Sequence, residues 1–379
     1  MIKVAIVTKK MVIGGTEKAL IPMLKQFDPQ EYEVDLYLQE LGGALYEELP
    51  EWVHAYKMPA FGEMSLKEKI RHPLRLGDAI LKRASMNEDE PYYKQCERAC
   101  HCMPMVEKEY DTAIAYHAPD AVPFFYVIHN LKARQKIMWL HFDIEQTNAV
   151  NALAKKYFSR YDKIFAVSNQ AKETFERNYP EMADKSEVFY NLVDTEGIIR
   201  QSECATSYQD AFSGIRILSI GRLTEPKGYD LFLPVLRRLL DEGYDLRFYI
   251  CGDGEKRQEL EGQIRQLQLD GRVLLLGMQS NPYGFLKDCD IYVQPSRFEA
   301  FCTTTNEARI FCKPVVVTDV CGMREQFEDH VNGTIVSLEE DALYDGVKEL
   351  LDDRKLRETY SDNLASLKLD RKIDLKKLF

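Results

Sequence analysis

What most constrains this chain is a recurrence of short apolar runs, rich in Val, Ile, Tyr and Phe, separated by stretches of helical length. The first series is Val4–Thr8, Val34–Leu38, Thr112–Tyr116, Ile137–His141, Ile164–Ser168 and Glu187–Leu192. The second is Arg216–Ile220, Leu246–Cys251, Val273–Leu276, Ile291–Gln294, Val315–Thr318 and Thr334–Val336. Strands that alternate with helices read as βαβ units and hence as parallel sheets. Two series of similar size predict an α/β chain of two Rossmann-like domains facing each other across a cleft. The length, 379 residues, agrees, because single cores stop growing at roughly 250–300 residues. The polar, aperiodic stretch from Gln201 to Asp210 separates the series. The expected division is an N-terminal Rossmann-like domain over 1–200, a linker over 201–213 and a C-terminal Rossmann-like domain over 214–379. The last helix is expected to cross back to the N-terminal domain.

Open α/β sheets bind ligands outside the carboxyl ends of their strands, so the residues after each run carry the chemistry. Gly14-Gly15-Thr16 follows the first run and precedes an amphipathic helix. Paired glycines let backbone N–H groups approach an anion at a helix N-terminus; a tight turn capped by Thr16 fits equally well. Gly221-Arg222 follows Arg216–Ile220, with Lys227-Gly228 at the next helix start. Two cations at one strand end suit a diphosphate, whose charge must be neutralised as it leaves. Two solvated surface cations are the ordinary alternative. Gly252-Asp253-Gly254 begins like a dinucleotide fingerprint, but Arg257 stands where the third glycine is needed for close helix–strand packing. After Ile291–Gln294 comes Ser296-Arg297-Phe298-Glu299-Ala300-Phe301-Cys302-Thr303-Thr304-Thr305-Asn306-Glu307, entering a helix near Thr304. Glu299 and Glu307 can reach different parts of one ligand, and backbone N–H groups between them can hold a phosphate or sugar hydroxyl. Thr304-x-x-Glu307 also fits a capping box, a use that competes with ligand contact.

This ordered set resembles family 4 of the retaining glycosyltransferases, GT-B enzymes common in the assembly of bacterial capsule, O-antigen and teichoic acid. The motifs are Gly-Arg-Leu-x-x-x-Lys-Gly from Gly221, Gly252-Asp253-Gly254, Glu299 and Glu307 with seven residues between them, Cys312-Lys313-Pro314 and the strand leading to Asp319. In the first half, Trp139-Leu140-His141 resembles the strand that ends in the family's active-site histidine. Val167-Ser168, Tyr190-Asn191 with Asp194, and Gly322-Met-Arg-Glu325 extend the likeness, which covers Met1 to about Val336. The resemblance implies that Arg222 and Lys227 hold the donor diphosphate beside Gly221 and Gly252, and that Glu299 contacts the donor sugar at its reacting face. It implies that Glu307 binds the ribose and that Phe301, Cys302, Thr303 and Thr304 offer backbone amides to sugar and phosphate. Gly15 then approaches the diphosphate, and His141 lies beside the sugar. Ala300 and Cys312 stand where the family usually has Gly.

Composition removes other classes. A net charge of −11 argues against nucleic acid as partner, since phosphate neutralisation needs a basic face. Nine scattered Cys lack a disulfide-framework spacing and fit a reducing compartment. The apolar run Ala121–Ile128 is far shorter than the ~20 residues that span a bilayer. The amino terminus enters a strand directly, so a cytoplasmic protein is expected. Residues 66–83 interleave Lys67, Lys69, Arg71, Arg75, Lys82 and Arg83 with Ile70, Leu74, Leu76, Ile80 and Leu81. That pattern fits a peripheral contact with anionic lipid on the inner membrane face, or a solvated helix packed on its own domain. No metal and no cofactor are expected. Asp288-Cys289-Asp290 imitates a metal-binding DxD but precedes its strand, and Cys96, Cys100, His101 and Cys102 lack a second ligand pair with zinc spacing.

The expected activity is retaining, metal-independent hexosyl transfer from a nucleotide sugar, UDP-linked, to an acceptor hydroxyl on a lipid-linked or cell-surface glycan. A sugar-nucleotide 2-epimerase, or a non-catalytic sugar-nucleotide-binding subunit of a transferase complex, would share the architecture.

Overall fold

Each apolar run becomes a strand of one of two parallel sheets. The computed structural model describes residues 1–59, 90–117, 119–142, 144–146, 150–367 and 374–379. The basic stretch 66–83 lies outside the described residues. The chain divides into two compact units, Met1–Leu192 with Lys372–Phe379, and Val193–Arg371.

The first unit holds β1 (Ile2–Thr8), β2 (Tyr32–Leu38), β3 (His54–Lys57), β4 (Glu109–Ala115), β5 (Lys132–Leu140), β6 (Lys163–Ala166) and β7 (Ser186–Val188). Their order across the sheet is β3-β2-β1-β4-β5-β6-β7. Its helices are α1 (Gly15–Leu24), α2 (Tyr92–Cys102), α3 (Val122–His129), α4 (Val150–Tyr157) and α5 (Asn169–Asn178). Parallel strands are covered on both faces, which explains why they read as near-continuous apolar runs. The last five residues of β1 are all buried. The Ala121–Ile128 run forms α3, with Pro123 in its first turn and every residue from Val122 to Ile128 buried. Phe124 stacks on Tyr161 at 5.1 Å and meets Phe125 edge-on at the same distance. This helix is core, and no described helix is long and apolar enough to cross a membrane.

The second unit opens with α6 (Thr195–Glu203) and continues as β8 (Ile215–Ile220), α7 (Tyr229–Asp241), β9 (Leu246–Cys251), α8 (Arg257–Gln266), β10 (Val273–Gly277), α9 (Tyr283–Asp288) and β11 (Ile291–Gln294). Then follow α10 (Thr303–Ile310), β12 (Val315–Thr318), β13 (Thr334–Val336), α11 (Glu340–Asp352) and α12 (Arg354–Ala365). The order β10-β9-β8-β11-β12-β13 is parallel throughout and reverses direction at β8/β11, the switch point where such sheets open a crevice.

Two details differ from the sequence expectation. The division falls at Leu192/Val193, not at 201–213, because Asp194 caps α6 by accepting from the Gly197 amide at 2.9 Å. Of the polar stretch, Gln201 and Glu203 are exposed residues of that helix, while Ser202 is buried in it. The element that joins the first unit is not α12 but the 3₁₀ turn Leu375–Leu378. Thr112 Oγ1 donates to the Leu378 carbonyl at 2.7 Å, and Phe379 stacks on Tyr32 at 5.5 Å.

Candidate functional site

In the second unit the loops after β8, β9 and β11 are drawn together by glycine. A Cβ on Gly252 would overlap the carbonyl oxygen of Gly221. Gly228 has φ +66, and a Cβ there would strike the Pro295 carbonyl. Backbones therefore touch where side chains could not fit. The Arg297 amide also donates to the Pro226 carbonyl at 2.7 Å.

This contact sets the central pair. Lys227 Nζ donates to Glu299 Oε1 at 2.6 Å. Ser296 Oγ donates to the same oxygen at 2.7 Å, Gln294 Nε2 to Ser296 Oγ at 2.8 Å, and Tyr292 Oη to Gln294 Oε1 at 2.8 Å. Tyr292, Gln294 and Ser296 are completely buried. A polar chain therefore runs from the sheet interior to the Glu299 carboxylate, each member satisfied and its geometry fixed. Burial works against the Lys227 ammonium, but the Glu299 charge and hydrogen bond outweigh it, so its pKa rises and it stays charged. Arg222 is exposed and close enough for its charge to act on Lys227. One of two neighbouring cations is thus balanced by a carboxylate while the other faces solvent.

Phe301 and Cys302 are buried, and Thr303 and Thr304 open α10. Cys302 occupies the N-cap position without a side-chain cap bond. Burial and the Glu299 charge push its thiol up, so it remains a thiol. The capping-box use of Thr304 is overturned: helix α10 starts at Thr303, which puts Thr304 inside the first turn. Glu307 is instead 2% exposed and accepts from Tyr283 Oη at 3.1 Å. Asp288 ends α9, and Asp290 accepts from the Arg216 amide at 2.8 Å, at the opposite end of the sheet from the ligand crevice.

In the first unit, Gly15 begins α1 behind an extended Gly14, and a Cβ on Gly14 would stand 2.5 Å from Glu17 Oε2. Gly14 thus makes room for a carboxylate on the helix's own first turn. His141 directly follows β5, with its ring 4.6 Å from Tyr116. Neither of its ring nitrogens has a hydrogen-bond partner among the described residues. Burial and the nearby His117 hold its pKa well below the usual histidine value, so the imidazole is neutral.

Sequence reading gave no role to His117, Arg297 or Asp230. His117 stands 4.0 Å from Glu17; its place two residues past β4 was the available signal. Arg297 binds Asp230 through both guanidinium nitrogens, at 2.7 and 2.6 Å, and also bonds the Glu225 carbonyl at 3.0 Å. The clasp ties the Glu299 loop to the Lys227 loop across 67 residues of sequence, a separation that no local pattern spans.

Residues 213–366 match the family "Glycosyl transferases group 1". The chain is 32% identical over 222 residues to the N-acetylgalactosamine-N,N'-diacetylbacillosaminyl-diphospho-undecaprenol 4-alpha-N-acetylgalactosaminyltransferase of Campylobacter jejuni, covering 57% of this chain and 59% of that one. It is 32% identical over 154 residues to the alpha-D-kanosaminyltransferase of Streptomyces kanamyceticus, covering 40% of each. The chain thus spans about half the length of these curated relatives. Among solved structures, Anabaena Alr3699/HepE in complex with UDP and glucose has the same fold, with a TM-score of 0.71 at 20% identity over 96% of this chain and 94% of that one. By fold the chain is a pair of parallel-sheet α/β units like that solved structure, and its residues 213–366 are similar to the glycosyl transferases group 1 family.

Proposed function

We propose that the chain transfers a sugar from a UDP-linked donor to a hydroxyl of a lipid-linked or cell-surface glycan, with retention at the anomeric carbon and without a metal. The observation that carries this reading is the Lys227–Glu299 pair, held at the switch point by the buried Tyr292–Gln294–Ser296 chain. Lys227, with Arg222, supplies fixed positive charge where a diphosphate leaves. Glu299 supplies negative charge where the anomeric carbon becomes electron-poor. Gly221, Gly252 and the backbone from Phe301 to Thr304 let the diphosphate approach main-chain N–H groups. Glu307 holds the ribose, Gly15 approaches the diphosphate, and the neutral His141 hydrogen-bonds the sugar without adding charge. The lipid-linked acceptor is supported by the name of the Campylobacter relative.

A donor screen by thermal shift tests it, since a ligand at a hundred times its Kd adds about 2.7 kcal/mol. The expected result is stabilisation by a UDP-sugar, then transfer that persists in EDTA to give a product of unchanged anomeric configuration. Interconversion of the donor without acceptor would make the chain an epimerase. Activity only on adding a second protein would make it a binding subunit.

A further inference from the structure

A second polar cluster lies in the first unit, apart from every residue assigned above. Helix α2 carries Glu97 and His101 one turn apart, α3 ends in His129, and α4 ends in Tyr157. A Glu97 carboxylate oxygen and one ring nitrogen of each histidine lie within 4.8 Å of one another. The rings of His101 and His129 are 4.0 Å apart. We propose that Glu97, His101 and His129 form a binding site for a divalent transition metal of the zinc class, which ties α2 to α3.

The proton inventory favours this. Tyr157 Oη donates its single proton to Glu97 Oε1, so His129 Nε2, 3.2 Å from Tyr157 Oη, donates to the tyrosine oxygen. His101 Nδ1 faces the Glu97 carbonyl at 2.9 Å, and a carbonyl can only accept. Each imidazole thus carries a proton on the nitrogen so engaged, and in its neutral form the other nitrogen offers a lone pair. A ring N–H fixed by a carbonyl or hydroxyl while the other nitrogen ligates is the usual outer-shell arrangement of metal-binding histidine. Two imidazoles and a carboxylate suit zinc, whose bonds of ~2.0–2.1 Å place tetrahedral ligand atoms about 3.3 Å apart. Side-chain rotations close the remaining gap. The field also favours a cation, because His101 and His129 lie in the last turns of α2 and α3, at the negative ends of both helix dipoles.

One group opposes the metal. Lys156 Nζ lies 2.5 Å from Glu97 Oε1, but its side chain is 63% exposed. Its ammonium can return to water when the metal enters, at the small cost of a surface ion pair. Among the described residues, the other cluster of this kind, Glu33, Asp35 and His54, lacks that escape. There Lys108, 27% exposed, pairs with both carboxylates, and Tyr110 Oη also donates to Asp35 at 2.6 Å.

The test is cobalt and zinc titration of the full chain, made without a histidine tag, read by visible absorption and calorimetry. One equivalent is expected, with a rise in the thermal midpoint. His129→Gln and Glu97→Gln, each checked for folding by circular dichroism, should weaken binding by more than the ~10–100-fold typical of an outer-shell change. Tyr157→Phe should weaken it less. No stoichiometric uptake by the unaltered chain overturns the proposal, as does uptake unchanged in the folded His129→Gln and Glu97→Gln variants, or uptake abolished by His54→Gln instead.

Discussion

Lys227 and Glu299 have opposite charges 2.6 Å apart, so changing one also changes the other. In Glu299→Gln the carboxylate that raises the Lys227 pKa is gone, and burial, which lowers it, remains. Two results should follow. Turnover should fall by ~10²–10³, the usual cost of one well-placed electrostatic group, while the nucleoside diphosphate still binds. The basic limb of the rate profile should also move to lower pH, because Lys227 loses its proton sooner. An unmoved limb with unaltered turnover would remove the pair from the chemistry. Glu307 separates differently. A ribose contact is alike in ground and transition states, so Glu307→Gln should raise KM and spare kcat. If the carboxylate serves only Tyr283, calorimetry will find diphosphate affinity unchanged. His141→Ala should keep that affinity and slow transfer. Since burial keeps His141 neutral, the unaltered enzyme should show no His141-dependent inflection near ~6.5, the ordinary histidine value. At this scale the sequence was informative wherever residues stood in one local motif. Glu299, Lys227 and the glycines were legible so. Tyr292 and Gln294 were not, although two apart on β11, because polar groups in a short apolar strand carry no mark of what they bond.

The elements that hold the site are joined by a few cross-loop contacts, and these predict effects without touching ligand. The Arg297–Asp230 clasp fixes the loop carrying Glu299 against the one carrying Lys227. Arg297→Ala and Asp230→Asn should each lower kcat, and the double variant should lose little more than either, since both break one contact. Arg297→Lys should rescue poorly, because lysine cannot make two parallel bonds. A purely structural clasp would lower the unfolding midpoint and leave kcat alone. The strands themselves were legible because buried parallel strands leave unbroken apolar runs. β3 escaped because its four residues, His54 to Lys57, are mostly exposed, as suits an edge strand. Helix α6 escaped for a related reason: with only Gly197, Ile198 and Ser202 buried, its polar face read as a linker.

At the scale of the whole molecule, the first unit is completed by residues far away in sequence. Leu378 is fully buried there, its carbonyl accepting from Thr112 Oγ1, while Lys163 Nζ donates to the Lys377 carbonyl at 2.6 Å. Thr112 is itself buried on β4. Deleting residues 374–379 therefore removes a buried leucine, about 1.5–3 kcal/mol, and leaves the Thr112 hydroxyl without its acceptor, about 1–3 kcal/mol more. Only the first unit makes these contacts, so only it should weaken. For a domain of this size each kcal/mol moves the midpoint ~2–4 °C, so the loss should be near 10 °C. Hydrogen exchange read strand by strand gives the decisive pattern: protection should fall in β4 and β6 and stay unaltered in β8 and β11. Equal loss in both units would mean that they unfold as one cooperative body. No loss in either would mean that the turn at Leu375–Leu378 contributes nothing to the first unit's stability, despite its buried leucine.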